Sequence, residues 1–394
     1  MRKSSKQVLE VSHHGQLIKE YRESKAGITQ EELARLIGRS RRTIITIEQT
    51  ARVSDIKLLR TLAWVLHIPP QLLGLPELIL PESVRLHPLE LPPTSSSKNL
   101  SRVFFETFEE NLRMRLDLYY LGSALGADRD LNAQIEHLTK LVQNGSLKDR
   151  RSLLLLLNHN YQLKGMIARD QLEYVTAEYC FKRASLLAQE AECAELHALS
   201  MARQALAELW QNRFDSAVQL YEIARDISKR SSAALRAYLA AAHAEAQGML
   251  GDQTCLASLA EARDLLKRID PEDDYLLLFH STRPSEQSVN DGWLNCHTLL
   301  GKPKLAIENY DQLLEQKLDL SMMRMRARLH IQYAEALFVD KDMSCCFYVT
   351  EGLKLVRAVG SRRLFQRASE LASKLAQQSP YDERVKELLR ALQN

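Results

Sequence analysis

The chain has 394 residues, 45% hydrophobic and 26% charged, with a formal net charge of +3; that is more than one ordinary core holds, so two or three globular domains are expected. No apolar run reaches a membrane span, the N-terminal segment lacks the apolar stretch of a secretion signal, and Cys180, Cys193, Cys255, Cys296, Cys345 and Cys346 show no CxxC spacing. These features argue against a membrane protein, a secreted protein, a disulfide framework or a zinc site, and for a cytoplasmic chain with reduced core cysteines. The charge is uneven, since Met1–Leu75 carries thirteen Lys and Arg against seven Asp and Glu, a net +6 that leaves −3 for the rest; a polyanionic partner is expected for the head alone.

Strand signals are nearly absent, and apolar residues at i, i+3 and i+4 recur from Gln16 almost to the C-terminus, so the expected fold class is all-α. "GQLIKEYRESK" supplies a first helix through Leu17, Ile18 and Tyr21. Thr29 with Glu32 three residues later is a capping box that starts a second helix, with Leu33, Leu36 and Ile37 on its apolar face and Ala34 small enough for a crossing helix. Gly38 is placed to end it in the left-handed conformation. Ser40 caps a third helix whose Ile44 and Ile47 point to the core, and "SDIKLLRTLAWVLHIPPQLLGL" supplies a fourth, through Ile56, Leu59, Leu62, Ala63 and Leu66, and a short fifth near Pro70. Glu48 reads as structural, paired with a nearby cation. Tyr21 and Trp64 read as core, and His13, His14 and His67 as non-catalytic.

A helix, a glycine turn and a helix at positions two and three make a helix-turn-helix. Gln16–Leu75 resembles the Cro/phage-repressor-type (XRE-like) family through Thr29-Gln30-Glu31-Glu32-Leu33-Ala34, Gly38, Ser40, Ile44, Ile47 and Glu48; "EQTARVSD" departs from it in lacking the glycine often found after the second of these helices. The resemblance implies that the third helix enters the DNA major groove, with Arg41, Arg42 and Thr46 at base edges and Ile45 near a thymine methyl. Gln30 would bind a phosphate, as would Arg39, Thr43, Arg52 and Lys57, which position without specifying. Adjacent cations at a helix N-terminus oppose the macrodipole, and polyanionic DNA offsets that cost. The alternative is a solvated charged face.

Leu75–Leu100 holds Pro76, Pro81, Pro88, Pro92 and Pro93 and a serine run, which reads as a semi-extended linker over 76–100 between a head, 1–75, and a body, 101–394. In the body Ala177, Phe181 and Ala184 recur as Ala217, Tyr221 and Ala224, as Cys255, Leu259 and Ala262, as Ala306, Tyr310 and Leu313, and weakly as Cys346, Thr350 and Leu353. The segment with Pro271 and Pro284 reads as a loop insertion. Small, large and small side chains on one helical stripe suit stacked helical hairpins, in which no hairpin buries its apolar face alone. The stretch Ser152–Gly360 resembles the tetratricopeptide repeat family without its full Trp-Leu-Gly-Tyr signature; an irregular bundle is the alternative. Arg362–Gln378 and Tyr381–Leu392 read as helices that cap the stack or form a dimer contact.

No phosphate loop, HExxH, GxSxG or poised metal-binding cysteine pair is present, so neither an enzyme nor a cofactor is expected. An XRE-like head on a repeat body resembles the peptide-responsive RRNPP-type regulators. That resemblance implies a signalling peptide in the concave face and a homodimer on an inverted-repeat operator. Projecting the repeat register puts His159, Gln162, Arg169, Gln247, Asp291, Asn295, Arg328 and Glu335 on the inner face, with Asn295 foremost; solvated polar positions are the plain alternative. A DNA-tethered scaffold that docks a protein partner, or a body that only dimerises, are the other readings.

Overall fold

The computed structural model describes residues 13–26, 29–37, 39–53, 102–121, 124–144, 147–269, 284–315 and 323–393, with Asp55, Leu58, Leu59, Leu62, Leu66, Ile68, Leu73 and Leu100. Gly38, Ile56, Lys57, Ala63, Trp64, His67, Pro70 and linker positions 76–99 lie outside the described residues. Contacts divide the chain into a head unit, Met1–Ser95, and a body unit over Ser96–Gln316 and Met322–Asn394. Among the described residues every regular element is a helix.

In the head, α1 (His14–Glu20) runs on into a wider π-type turn, Tyr21–Ala26, followed by α2 (Gln30–Leu36) and α3 (Arg41–Gln49). The capping box is formed: Thr29 N–H donates to Glu32 Oε2 at 2.6 Å and Glu32 N–H to Thr29 Oγ1 at 3.1 Å. Ser40 caps α3 by accepting from the Thr43 N–H at 3.2 Å. Ile18, Tyr21, Leu33, Ala34, Ile37, Ile44 and Ile47 close a core with Leu59, Leu62, Leu66, Ile68 and Leu73. Gly15 brings α1 onto the end of α3, where a Cβ would collide with the Ile47 and Glu48 carbonyls.

The body opens with α4 (Arg102–Leu121), α5 (Ala124–Asp128) and α6 (Leu131–Asn144). Arg115, 2% exposed, joins α4 to the turn after α5 by donating to the Ala127 and Arg129 carbonyls. Six helical hairpins follow. They are α7 (Leu147–Asp170) with α8 (Tyr174–Glu190), α9 (Ala194–Leu209) with α10 (Phe214–Ile227), and α11 (Ala233–Met249) with α12 (Cys255–Leu266). Then come α13 (Glu286–Leu299) with α14 (Pro303–Glu315), α15 (Met323–Val339) with α16 (Cys345–Val359), and α17 (Arg362–Gln378) with α18 (Glu383–Gln393). The hairpin stack thus runs one pair beyond Gly360, the expected end of the repeats.

The recurring triplets lie on the second helix of each hairpin, and those beginning at Ala177, Ala217, Cys255 and Ala306 are buried throughout. The weak copy is corrected by one residue. Thr350 is half-buried, whereas Cys345, Val349 and Gly352 are buried, and Gly352 lacks the side chain that would crowd Ile331. The turns repeat as well. Leu172, Glu192, Asn212, Gly251, Gly301, Lys341 and Gly360 all take positive φ, and the next N–H in each case bonds five residues back, as Glu173 to Ala168 and Asp342 to Leu337. That is the Schellman ending of a helix. Leu172, Glu192 and Lys341 adopt it despite the cost of about 1–2 kcal/mol that a side chain carries in the left-handed region.

The stack closes on itself. Asp170, at the end of α7, accepts from Arg324 of α15 at 2.5 Å and from the Ser361 hydroxyl before α17 at 2.7 Å. Arg324 also donates to the Tyr119 carbonyl at 2.8 Å and the Val359 carbonyl at 3.1 Å, stacks over the Tyr119 ring, and is joined by a bond from Gln171 to the Gly360 carbonyl. Both charges are buried, with side-chain exposures of 8% and 1%. Removing one member of such a pair costs about 3–5 kcal/mol because the other charge stays buried alone. Arg324→Met is therefore expected to lower the unfolding free energy of the full chain by that amount in urea; a loss under about 1 kcal/mol, typical of an exposed pair, would mean that the ring is held elsewhere.

Candidate nucleic-acid interface and ligand cavity

In the head, Arg41 and Arg42 are the first two residues of α3, and both are exposed, as are Thr46, Arg39 and Arg52. Among the described residues no carboxylate lies within ion-pair distance of Arg39, Arg41, Arg42 or Arg52, so four cations face outward uncompensated. The Thr46 hydroxyl donates to the Arg42 carbonyl at 3.0 Å; toward a ligand it presents acceptor lone pairs and a methyl group. Ile45 is half-buried, and Thr43 is tied to the cap through its hydroxyl, 2.9 Å from Ser40 Oγ.

A buried ion pair sets this surface. Arg22 grips Glu48 with Nε at 2.5 Å from Oε1 and Nη2 at 3.2 Å from Oε2, the residues being 5% and 8% exposed. The hydrogen bond to Glu48 raises the Arg22 guanidinium above its ordinary range. Gln30 Nε2 donates to the second Glu48 oxygen at 2.8 Å, so one carboxylate joins the turn after α1, the start of α2 and the end of α3. Glu48 thus has the cationic partner that the sequence calls for. His14, which carried no structural role in the sequence reading, ties α1 to the segment after α3 by accepting from the Val53 N–H at 3.1 Å; burial holds it below its ordinary pKa.

Residues 18–73 match the family model described as helix-turn-helix. The head is a helix-turn-helix domain. The match supports a DNA-binding transcription regulator. A similarity over 153 residues, 27% identical, is to the tRNA-specific 2-thiouridylase MnmA of Pseudomonas entomophila (strain L48); it covers 36% of this chain. The chain spans 40% of that relative's length, and the activity in that name is a statement about the relative. Among the described residues no helix is long and apolar enough to cross a membrane.

After the helix-turn-helix head in sequence, the body holds a partly open cavity of about 230 Å³. It is lined by the first helix of every hairpin: Arg169 on α7, Arg203 on α9, Tyr238 and Glu245 on α11, Asp291 and Asn295 on α13, Arg324 and Arg328 on α15, and Arg363 on α17. Four of the eight groove residues projected from sequence, Arg169, Asp291, Asn295 and Arg328, meet there. Arg328 donates to Asp291 at 2.5 Å, and burial pushes the Asp291 carboxyl up in spite of that partner. Asn295 accepts from Arg367 at 3.4 Å, and its Nδ2 has no partner among the described residues.

The other four do not line the cavity. Gln162 is fully buried and donates to Asn158 at 2.9 Å. Gln247 turns toward the α11–α12 connection, bonding Thr254 and Ser258. Glu335 is paired with Arg367. His159 is buried, and desolvation, with Arg203 second, lowers its pKa to about 4. It is neutral near pH 7.

Two predictions follow from these placements. Glu48→Ala removes the buried carboxylate that Arg22 and Gln30 share and leaves Arg22 the exposed Glu23, 2.9 Å away, whereas Arg22→Met with Glu48→Leu removes both charges; the single variant is expected to be destabilised by more than the double variant, as measured by hydrogen exchange of Ile18 and Ile44. In the body, His159 and His243 both have pKa values lowered from 6.5 to about 4, chiefly by burial. The unfolded chain therefore binds more protons below pH 6.5. Their stabilisation is complete above 6.5 and falls as the pH drops from 6.5 towards 4, by about 1.4 kcal/mol per pH unit for each histidine. Urea titrations at pH 7.5, 6.0 and 5.0 should show this slope, and His159→Gln should remove one histidine's share.

Proposed function

We propose that the chain is a cytoplasmic, sequence-specific transcriptional regulator, not an enzyme, that acts as a homodimer on an inverted-repeat operator. Its helical body binds a ligand, with a signalling peptide the foremost class. The observation that carries the DNA reading is the exposed start of α3, where Arg41 and Arg42 stand without carboxylate partners beside Thr46. A guanidinium there suits bidentate bonding to guanine O6 and N7. Thr46, whose proton is committed to the Arg42 carbonyl, suits a base amino group or a thymine methyl. Gln30, held by Glu48, keeps its second N–H for a phosphate, as Arg39, Thr43, Arg52 and Lys57 provide further backbone contacts.

The ligand reading is supported by the cavity and by the unpartnered Asn295 amide that lines it. By linkage, whatever the ligand does to operator affinity, the operator does to ligand affinity. A second reading, a scaffold that docks a protein, is favoured by the exposed Val175, Tyr179 and Leu186 on α8, which are 86%, 57% and 54% accessible.

The test is selection of bound sequences from a random DNA pool by the full chain, followed by salt-dependent affinity on the selected site. An inverted repeat is expected. Arg42→Ala should then lose about 1–3 kcal/mol on that site and relax the preference at one base position, while Arg39→Ala weakens selected and random DNA alike and flattens the salt dependence by about one ion. Equal losses for Arg42→Ala on both DNAs would remove it from base reading, and no enriched sequence would move the scaffold reading to the front.

A further inference from the structure

The cavity carries a charge pattern that ion pairing within the body leaves unbalanced. Of its five lining arginines, Arg324 is taken by Asp170 and Arg328 by Asp291. Arg169, Arg203 and Arg363 have no carboxylate partner among the described residues, and Glu245 is the one lining carboxylate left against them. Arg169 and Arg203 are 8% and 4% exposed, and the Nε of each lacks a hydrogen-bond partner, as do two nitrogens of Arg363. Arg203 is turned onto the Met166 sulfur, and Arg363 lies over the Trp210 ring at 4.0 Å, contacts that place a guanidinium without neutralising it. Burial, and then the charge of Arg169, lower the Arg363 pKa to about 9.

Uncompensated buried cations are costly unless something pairs with them. Tyrosines complete the wall: Tyr119, Tyr120, Tyr238 and Tyr221, whose hydroxyl has no partner. At about 230 Å³, the space lies below the range of about 300–1,000 Å³ that suits a drug-sized ligand, so what sits among these side chains is a compact group, either a small molecule or the end of a longer chain.

We propose that the cavity is a receptor for a compact oxyanion, a phosphate or carboxylate held by Arg169, Arg203 and Arg363 on a small flat or apolar body packed against the tyrosines. The proposal rests on the ligand-binding reading above and names the chemistry of that ligand. A guanidinium fork matches both oxyanions. The anion comes from either a small metabolite or the free C-terminus of a peptide.

Calorimetry of the full chain at fixed ionic strength tests it with four probes: phenyl phosphate, benzoate, the peptide Gly-Gly-Phe with a free carboxylate, and its C-amidated twin. Benzamide is the neutral control. Phenyl phosphate or benzoate, or the free-carboxylate peptide, is expected to bind one-to-one while benzamide and the amidated peptide do not. Preference between the first two and the peptide separates the metabolite from the chain terminus. Arg169→Met and Arg203→Met should each weaken binding about ten-fold or more, whereas Arg225→Met, outside the cavity and paired with Glu261, should not. Thermal melts of the unliganded variants identify any that fails to fold, and Arg363→Gln replaces it in the comparison. Binding of none of the anions, equal binding of benzamide, or undiminished binding by the folded arginine variants would overturn the proposal. Operator affinity read with each probe separates this result from the regulator reading. Anion binding with no change in operator affinity retains the oxyanion site and removes the switch; an amidated peptide that binds and shifts operator affinity, where no anion does, retains the switch and removes the oxyanion site.

Discussion

The carboxylate of Asp170 is the constraint on which the body depends. A stack of helical hairpins makes contacts between neighbours and needs nothing from its far end. Here the end of α7 is bonded to Arg324 and Ser361, residues 154 and 191 positions further on. A buried pair of this kind contributes modest net stability once desolvation is included. Its effect is geometric: it brings α4 and α7 against α15 and α17, so that the inner helices of both ends of the stack line one cavity. Arg169, the residue before the clasp, lines that cavity. Any charge that settles on Arg169 therefore lies one peptide unit from the bond that keeps the ring shut.

The head uses the same device on a smaller scale. Glu48 is shared by Arg22 and Gln30, and Gly15 lets α1 press on the carboxyl end of α3. The helix that carries Arg41, Arg42 and Thr46 is thus held from inside by its last turn and left open at its first. Rigid support behind a free edge suits reading a groove, because the outward side chains need not also hold the fold together.

Much of this was legible in the sequence where the signal is local. The Thr29–Glu32 box, the Ser40 cap and the core face of α3 follow from spacing alone; Glu48 reads as structural, but its partner Arg22, 26 positions away, does not show in any local pattern. The repeat triplets were legible too, since a small-large-small stripe has one packing use. The weak copy slipped by one residue because Cys345 and Cys346 are equivalent by type, and only the packing of Gly352 against Ile331 separates them. The turns escaped notice because Leu172, Glu192 and Lys341 take a conformation that glycine ordinarily marks. On α7 the projection of His159 and Gln162 into the groove fails for a definite reason. That helix is buried almost all round from Leu153 to Asp170, so its periodicity carries no single inward direction. The five arginines of the cavity come from four different helices, and no window of sequence brings them together.

The closed ring has a consequence for how such a body can change over evolutionary time. The turns of the first five hairpins are near-copies of one another, each with a residue in the left-handed conformation followed by the same five-residue bond, so a hairpin could be duplicated or deleted with little local disturbance. In an open solenoid that freedom lets length drift. Here one more hairpin between Asp170 and Arg324, or one fewer, would carry the guanidinium past its carboxylate and open the ring. The clasp therefore counts the repeats. Length between Asp170 and Arg324 is tied to the ion pair, and a change of repeat number there would have to come with a change of clasp.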